Sequence, residues 1–424
     1  MSGRLAPYPA SPRCLGLHEF GRPGEVPETM RAWVIRAERF GPPLEAFQEE
    51  TVPVPALGDD EVLIRVAAAG VNYNGIWAGL GQPVSVLNIH GGDYHVAGSD
   101  ASGVVWAVGR NVNSWKPGDA VIAHCNWEDP AHGRRTRDRG DFLSYDPMAS
   151  PHCRIWGYET SDGSFAQFCK VQAQQVLPKP AHMSWELASC YALTYFTAYR
   201  MLVTQGQIRP GEVALVWGGA GGLGSFAVQI CRELGVQAIA VVSSAEKGAK
   251  CLELGAVGFI NRSDFPNLPY REGETAEQTE ARLKDTRAMG RRIWDILGER
   301  RSPDLVFEHS GQETFAASVF LCARFGRVVI CGATSGYNLK FDVRYLWMMQ
   351  KRIIGSHFAN ALDALRANTL VEAGRIRPYL SRVYPFDQIP QAHQDMYENR
   401  HVGNMACLVM APRPGLTTIQ DLMG

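Results

Sequence analysis

The chain has 424 residues, long for a single hydrophobic core, so two domains are expected. Its 46% hydrophobic and 20% charged content is that of a globular protein and excludes a disordered or fibrous one. With 42 Lys and Arg against 43 Asp and Glu the formal net charge is −1, which gives no argument for nucleic acid or an anionic membrane surface as a partner.

The opening stretch "MSGRLAPYPASPRCLG" lacks the apolar run of a secretory signal. No segment approaches the roughly 18 apolar residues of a membrane span, so no membrane partner is expected. The ten cysteines are scattered without a CxxC pair, which predicts reduced thiols in a cytoplasmic protein. Residues 1–29 are rich in Pro and Gly and read as an arm with little core of its own. From Met30 short strands follow: "MRAWVIRAE", "DEVLIRVAAAGVN", "ASGVVWAVG" and "DAVIAHCN". Period-two alternation in "EVLIRVAAA" and the Gly, Pro and Asp punctuation predict a mainly β region. The polar stretch 127–150 reads as a surface loop.

"RIWGYETSDGSF" (154–165) then sets Glu159 behind Trp156 and Tyr158, between Gly157 and Gly163. A carboxylate among aromatics is costly to desolvate. The pattern leaves two readings open: a strand-end charge facing water, or the wall of a reaction chamber.

Near residue 185 the texture changes. "SWELASCYALTYFTAYRML" has the spacing of one buried helix with Ser184 as N-cap. "EVALVW", "GGAGGLG", "SFAVQICRELG" and "VQAIAVVSS" make a βαβ unit, and further alternation predicts a parallel sheet covered by helices. Residues 264–300 are charged, helical in composition, and read as an insertion on the rim of that sheet. From about residue 360 the tail returns to mixed helix and strand.

Within the βαβ unit, Gly219-x-Gly221-x-x-Gly224 follows a strand and opens a helix. The first glycine permits the tight turn, the second lets a pyrophosphate approach the backbone, and the third lets helix pack on strand. Gly222 and Leu223 complete the turn, whose helix N-terminus offers N–H groups to phosphates. The second strand ends with Ser243 and Ser244 where an NAD site usually has Asp or Glu, and Lys247 and Lys250 follow. Hydroxyl and ammonium groups suit a 2′-phosphate, so NADP(H) is favoured. The plainer reading makes both lysines solvated helix positions, and Glu246 weighs towards it.

The order of a β-rich region before a Rossmann region, with "GSDASGVVWAVGRNVNSWKPGDAVIA" (98–123), resembles the medium-chain dehydrogenase/reductase superfamily. The resemblance implies an α/β protein with a GroES-like β-rich catalytic domain (30–186 and 360–424) and a doubly wound Rossmann cofactor domain (187–359). By the same analogy Thr197 would lie near the nicotinamide, a structural helix Thr being the alternative. Zinc-dependent members carry Gly-His-Glu where this chain has Gly98-Ser99-Asp100, and their cysteine cluster is missing. His124 and Cys125 lack a third ligand at metal spacing, so no metal is expected. That points to reduction of an activated double bond.

Longer strings narrow the family: "GVNYNGIWAGLGQPVS" (70–85), "YHVAGSD" (94–100), "RIWGYET" (154–160), "VFEHSGQETF" (306–315) and "RYLWMMQKRIIGSHFAN" (344–360). From Met30 onward the chain resembles crotonyl-CoA carboxylase/reductases. The resemblance implies NADPH-dependent reductive carboxylation of an enoyl-CoA by CO2, crotonyl-CoA giving (2S)-ethylmalonyl-CoA, in a homotetramer. It implies four CO2-pocket residues. Asn74 would donate an amide N–H to a CO2 oxygen, His357 would hydrogen-bond CO2 directly or through water, Tyr158 would shield the pocket, and Glu159 would hold an ordered water. It also implies Arg344 for a CoA phosphate and Tyr345 for adenine.

Plainer readings stand beside these: a turn-stabilising Asn74, a structural His357, a core Tyr158. Ser310 stands where the family commonly has Pro. The rival functions are an enoyl-CoA reductase that protonates instead of carboxylating, a zinc-free quinone reductase, and an NADPH-binding protein without turnover.

Overall fold

The computed structural model describes residues 13–131 and 146–423. Residues 1–12 of the expected arm and 132–145 of the expected loop lie outside them. The described residues form two compact units. The first runs to Leu193 and takes in Asn360–Leu365 and the stretch from Leu380, and the second comprises Thr194–Ala359 and Arg366–Tyr379. Residues 187–193 thus go with the first unit and 366–379 with the second, whereas the sequence placed the boundaries after 186 and 359.

Ten strands open the first unit: β1 (Thr29–Ile35), β2 (Gln48–Pro53), β3 (Glu61–Val71), β4 (His95–Val96), β5 (Ala101–Val108), β6 (Ala120–Ala123), β7 (Asn126–Trp127), β8 (Arg154–Ile155), β9 (Phe168–Gln172) and β10 (Val176–Pro178). The second unit holds β11 (Val213–Trp217), β12 (Gln237–Val242), β13 (Gly258–Asn261), β14 (Leu305–Glu308), β15 (Arg327–Ile330) and β16 (Arg352–Gly355). The chain returns to the first unit with β17 (Leu380–Tyr384) and β18 (Asn404–Leu408).

In the first unit β1 lies between β2 and β4, and a larger sheet runs β10-β6-β5-β3-β18-β17 with β9 also on β3. β3 pairs with β5, β9 and β18, so every residue from Val62 to Val71 is buried. The expected alternation therefore does not put its polar position at the surface. Arg65 is fully buried, and its Nη2 donates to the carbonyls of Gly16, Leu17 and Glu19 at 3.1, 2.9 and 3.1 Å. Those bonds tie residues 16–19 down, while Leu15 packs with Met30, Val34 and Trp106. The described part of the arm, residues 13–28, is thus tied to the core of the first unit chiefly through Leu15 and these bonds.

The helix expected over 184–202 is interrupted. Trp185–Ala188 and Ala192–Tyr199 are separate helices, and the second continues into a π-helical segment, Arg200–Gln205. At the break the Leu193 N–H donates to Asp100 Oδ1, outside the segment, while Ser102 Oγ adds a second bond to the Trp185 carbonyl, which also accepts the Ser189 N–H. Ser184 holds the N-cap position with extended backbone, but its hydroxyl makes no capping bond.

All six strands of the second unit are parallel, in the order β13-β12-β11-β14-β15-β16, which is the doubly wound order with its crevice at the carboxyl ends of the strands. The charged 264–300 segment forms the helix Ala276–Leu297, started by a Thr275/Gln278 capping box. Its Met289 and Ile293 pack into the core beside Phe315 and Val328, and it lies along the edge strand β13. No helix of the described residues is long and apolar enough to cross a membrane.

Candidate functional site

In the first unit, β3 delivers the chain to the helix Tyr73–Leu80. Asn72 stands at its N-cap, but its side chain donates to Asp100 Oδ2 at 2.9 Å. Asn74, partly exposed, donates from Nδ2 to the hydroxyl of fully buried Ser99 at 2.6 Å. Burial pushes the Asp100 carboxyl up to about 7, against the downward pull of its hydrogen bonds from Asn72 and Leu193.

Tyr158 and Glu159 sit on the turn after β8. Gly157 has φ +71, and a Cβ there would stand 2.5 Å from the Gly98 carbonyl carbon and closer still to its oxygen. Glycine is therefore required on two grounds, handedness and close approach. The Gly98 N–H donates to Gly157 O at 3.2 Å, so the two segments lie back to back. Tyr158 packs against the core with its ring 6.5 Å from that of Trp77. Glu159 is half-buried, and its Oε2 accepts the Ile155 N–H at 2.8 Å. The carboxylate among aromatics thus has a backbone donor for one oxygen and keeps some solvent. Behind it Trp156 is buried, with Nε1 donating to Asp162 O at 3.1 Å.

In the second unit, Gly219–Gly224 forms the turn between β11 and the helix Gly222–Glu233. A Cβ on Gly224 would reach within 2.8 Å of the Gly218 carbonyl carbon, so helix packs on turn as the motif requires. Gly221, Gly222 and Leu223 are partly exposed, and first-turn N–H groups have no intrahelical acceptor. These residues fit a dinucleotide pyrophosphate. Ser243 is exposed just past β12, and Ser244 caps the next helix by accepting the Lys247 N–H at 3.3 Å. Lys250 pairs with Glu253 and lies 5.0 Å from the Tyr379 ring, the solvated-helix role. Thr197 is buried in its helix.

Arg344 is exposed, and its guanidinium fork grips Asp342 at 2.7–3.1 Å. Tyr345 packs edge-on against Phe320 at 4.7 Å. His357 follows β16 with its ring 4.2 Å from Phe358. Desolvation and the Arg200 charge drive its pKa down to about 4, although the residue is exposed and solvent tempers that shift. Both considerations leave a neutral imidazole at pH 7.

The structure brings Asn74, through Ser99 and Gly98, onto the same backbone segment as the Tyr158–Glu159 turn. His357, Arg344, Tyr345 and the nucleotide turn belong to the second unit. Ser99 and Asp100 entered the sequence reading only as a departure from Gly-His-Glu; their signal was that departure itself. Glu308 was missed as well. Its carboxylate accepts from the Ser310 and Gly311 N–H groups and from the Thr314 and Ser318 hydroxyls. Ser318 in turn accepts from Trp217 Nε1 at 2.8 Å, just before the nucleotide turn. Serine at 310 supplies an N–H that a proline would lack.

Residues 58–181 match the alcohol dehydrogenase GroES-like domain and residues 222–372 the zinc-binding dehydrogenase family. The residues do not fit zinc: Ser99 replaces a ligand type, Asp100 is held by Asn72 and Leu193, and no group of three potential ligands occurs among the described residues. The chain is 50% identical over 403 residues to a crotonyl-CoA carboxylase/reductase of Cereibacter sphaeroides, spanning 94% of this chain and 92% of the relative. A solved crotonyl-CoA carboxylase/reductase superposes with a TM-score of 0.90 at 48% identity, over 97% of this chain and 96% of that one. The 2-octenoyl-CoA carboxylase reductase CinF, solved with NADP and 2-octenoyl-CoA, gives 0.84 at 38% identity over 93% and 91%. On this likeness over nearly its whole length, the chain belongs to the crotonyl-CoA carboxylase/reductase family of the medium-chain dehydrogenase/reductase superfamily.

Proposed function

We propose that this protein carries out the NADPH-dependent reductive carboxylation of an enoyl-CoA, converting crotonyl-CoA and CO2 to (2S)-ethylmalonyl-CoA. The observation that carries it is the 50% identity to a named carboxylase/reductase over 94% of the chain, together with an Asn74 amide held by one N–H and with a second N–H to give. NADPH, when bound, supplies hydride to the β-carbon of the thioester, leaving an α-carbon enolate that either takes a proton or attacks CO2.

The first-turn N–H groups of Gly222, Leu223 and Gly224 would hold the pyrophosphate, beside Gly219 and Gly221. Ser243, Ser244 and Lys247 would hold the 2′-phosphate, and Thr197 would border the nicotinamide. CO2 has no net charge, so it is held by hydrogen bonds that strengthen as the new carboxylate develops. Asn74 donates one. His357, neutral at pH 7, is the other polar partner that the resemblance supplies. Glu159 is an acceptor and would repel a nascent carboxylate directly, so it acts through a bridging water. Tyr158 and Trp77 limit access of proton donors. Arg344 and Tyr345 would contact CoA, and Arg344 then exchanges Asp342 for a phosphate.

The reading includes a cytoplasmic setting, supported by ten unpaired cysteines, and a homotetramer, supported by the family resemblance. Incubation with NADPH and crotonyl-CoA, with and without bicarbonate, tests the central claim. Ethylmalonyl-CoA is expected when CO2 is present; butyryl-CoA alone at saturating CO2 would overturn it.

A further inference from the structure

Carboxylation competes with protonation of the same enolate, so the donor that captures CO2 must be aimed before CO2 arrives. A side-chain amide rotates about its last bond and presents either oxygen or nitrogen, so Asn74 cannot aim itself. Among the described residues one side-chain hydrogen bond restrains it: Nδ2 donates to Ser99 Oγ at 2.6 Å. Ser99 is fully buried, and so is Asp100 beside it, whereas Asn74 is partly exposed. The restraint thus comes from the rigid side of the pair. With one N–H on Ser99, the direction of the other N–H is set.

The same tripeptide reaches further. Asp100 holds both ends of its surroundings, Oδ2 on Asn72 at 2.9 Å and Oδ1 on the Leu193 N–H at 2.6 Å. Asn72 is the residue from which the helix carrying Asn74 starts. Gly98, on the other side, lies back to back with Gly157, next to Tyr158 and Glu159. One buried segment therefore references the Asn74 amide, the helix that bears it and the Tyr158–Glu159 turn.

We infer that Ser99 is the positioning residue that aims the Asn74 amide at CO2, with Asp100 holding the helix start through Asn72. The inference rests on the reading of Asn74 as the CO2 donor given above. The test uses the full-length enzyme, crotonyl-CoA, NADPH and a series of bicarbonate concentrations. It compares wild type with Ser99→Ala, Ser99→Thr, Ser99→Cys and Asn74→Leu. NADPH oxidation reads hydride transfer, and the ratio of ethylmalonyl-CoA to butyryl-CoA reads capture.

Removing the acceptor in Ser99→Ala is expected to raise the KM for CO2 on the order of tenfold, the scale of one hydrogen bond. The butyryl-CoA share rises, and hydride transfer falls by less than capture does. Ser99→Thr keeps the hydroxyl and restores the wild-type ratio. Ser99→Cys keeps the volume with a weaker acceptor and shifts the ratio the same way, so it replaces Ser99→Ala if that variant misfolds. If Asn74→Leu changes the product ratio and neither Ser99→Ala nor Ser99→Cys does, the positioning role is overturned while the proposed function stands. If Asn74→Leu itself leaves the ratio unchanged, Asn74 is not the donor and the role of Ser99 falls with it. Equal loss of hydride transfer and capture in the Ser99 variants also overturns it, because that is the signature of general structural damage.

Discussion

Gly157→Ala tests how closely the Tyr158–Glu159 turn depends on the segment behind it. The residue has φ +71, where an L side chain costs roughly 1–2 kcal/mol. The added Cβ starts 2.5 Å from the Gly98 carbonyl carbon and closer still to its oxygen, and ordinary contact begins at 3.4 Å, so the segments must part by more than about 0.9 Å. At that separation the Gly98 N–H to Gly157 O bond, now 3.2 Å, is lost, at a further cost of about 1 kcal/mol. The expected destabilisation is therefore about 2–3 kcal/mol. Because Gly98 adjoins Ser99, the displacement also loosens the hold on Asn74. The assay is urea unfolding, followed by product analysis with crotonyl-CoA at fixed bicarbonate and an NADPH fluorescence titration. A lower urea midpoint, a larger butyryl-CoA share and unaltered NADPH affinity are expected. Unfolding within about 0.5 kcal/mol of wild type, with an unchanged product ratio, would refute the close-approach reasoning.

Three other outcomes are expected. Arg65→Met takes the Nη2 donor from the Leu17 and Glu19 carbonyls and one of three donors from the Gly16 carbonyl, which keeps Gln167 Nε2 and the Glu19 N–H. It should destabilise by about 2–4 kcal/mol and open residues 13–28 to limited proteolysis; an unchanged digestion pattern would count against the anchoring. Asp100, with its carboxyl at about 7 instead of the ordinary 3.8, keeps a proton in the folded chain that the unfolded chain gives up between those values. Its contribution to stability is full below pH 3.8 and is lost as pH rises through 7. Asp100→Asn should therefore melt progressively higher relative to wild type from pH 5 to pH 8, and parallel melting curves would contradict the buried-carboxyl reading. Ser244→Asp keeps a helix N-cap but sets a carboxylate against the 2′-phosphate. The KM for NADPH should rise on the order of tenfold or more while NADH improves; an unaltered NADPH/NADH preference would remove Ser244 from that site.

What was legible in the sequence was what neighbouring residues decide together. Gly219, Gly221 and Gly224 make a turn whose parts lie within six positions, so strand, turn and helix could be read from one string. The parallel sheet announced itself through repeated βαβ spacing, and the 264–300 segment through its charge and helical composition. The family strings carried the reaction class, because a reaction needs several side chains together and those strings supply them jointly. Arg344 shows the boundary of that legibility: its pairing with Asp342, only two positions away, is a matter of side-chain direction and was not read.

The tertiary structure decided whatever depends on residues far apart in the chain. The segment 184–202 has the apolar spacing of one helix, yet Asp100, beside β5, takes up the Leu193 N–H at its break. Arg65 looked like the solvent-facing member of an alternating strand and is buried, because residues 16–19 fold over it with three carbonyls. Glu159 looked like an uncompensated charge, and its partner is the Ile155 N–H of its own turn, whose shape Gly98 enforces through Gly157. By itself the sequence determined the cofactor fold and the class of chemistry, since both reside in contiguous motifs. Which hydroxyl holds the Asn74 amide was decided only when β3 and β5 paired and brought position 99 within hydrogen-bonding distance of position 74, a distance that no spacing along the chain encodes.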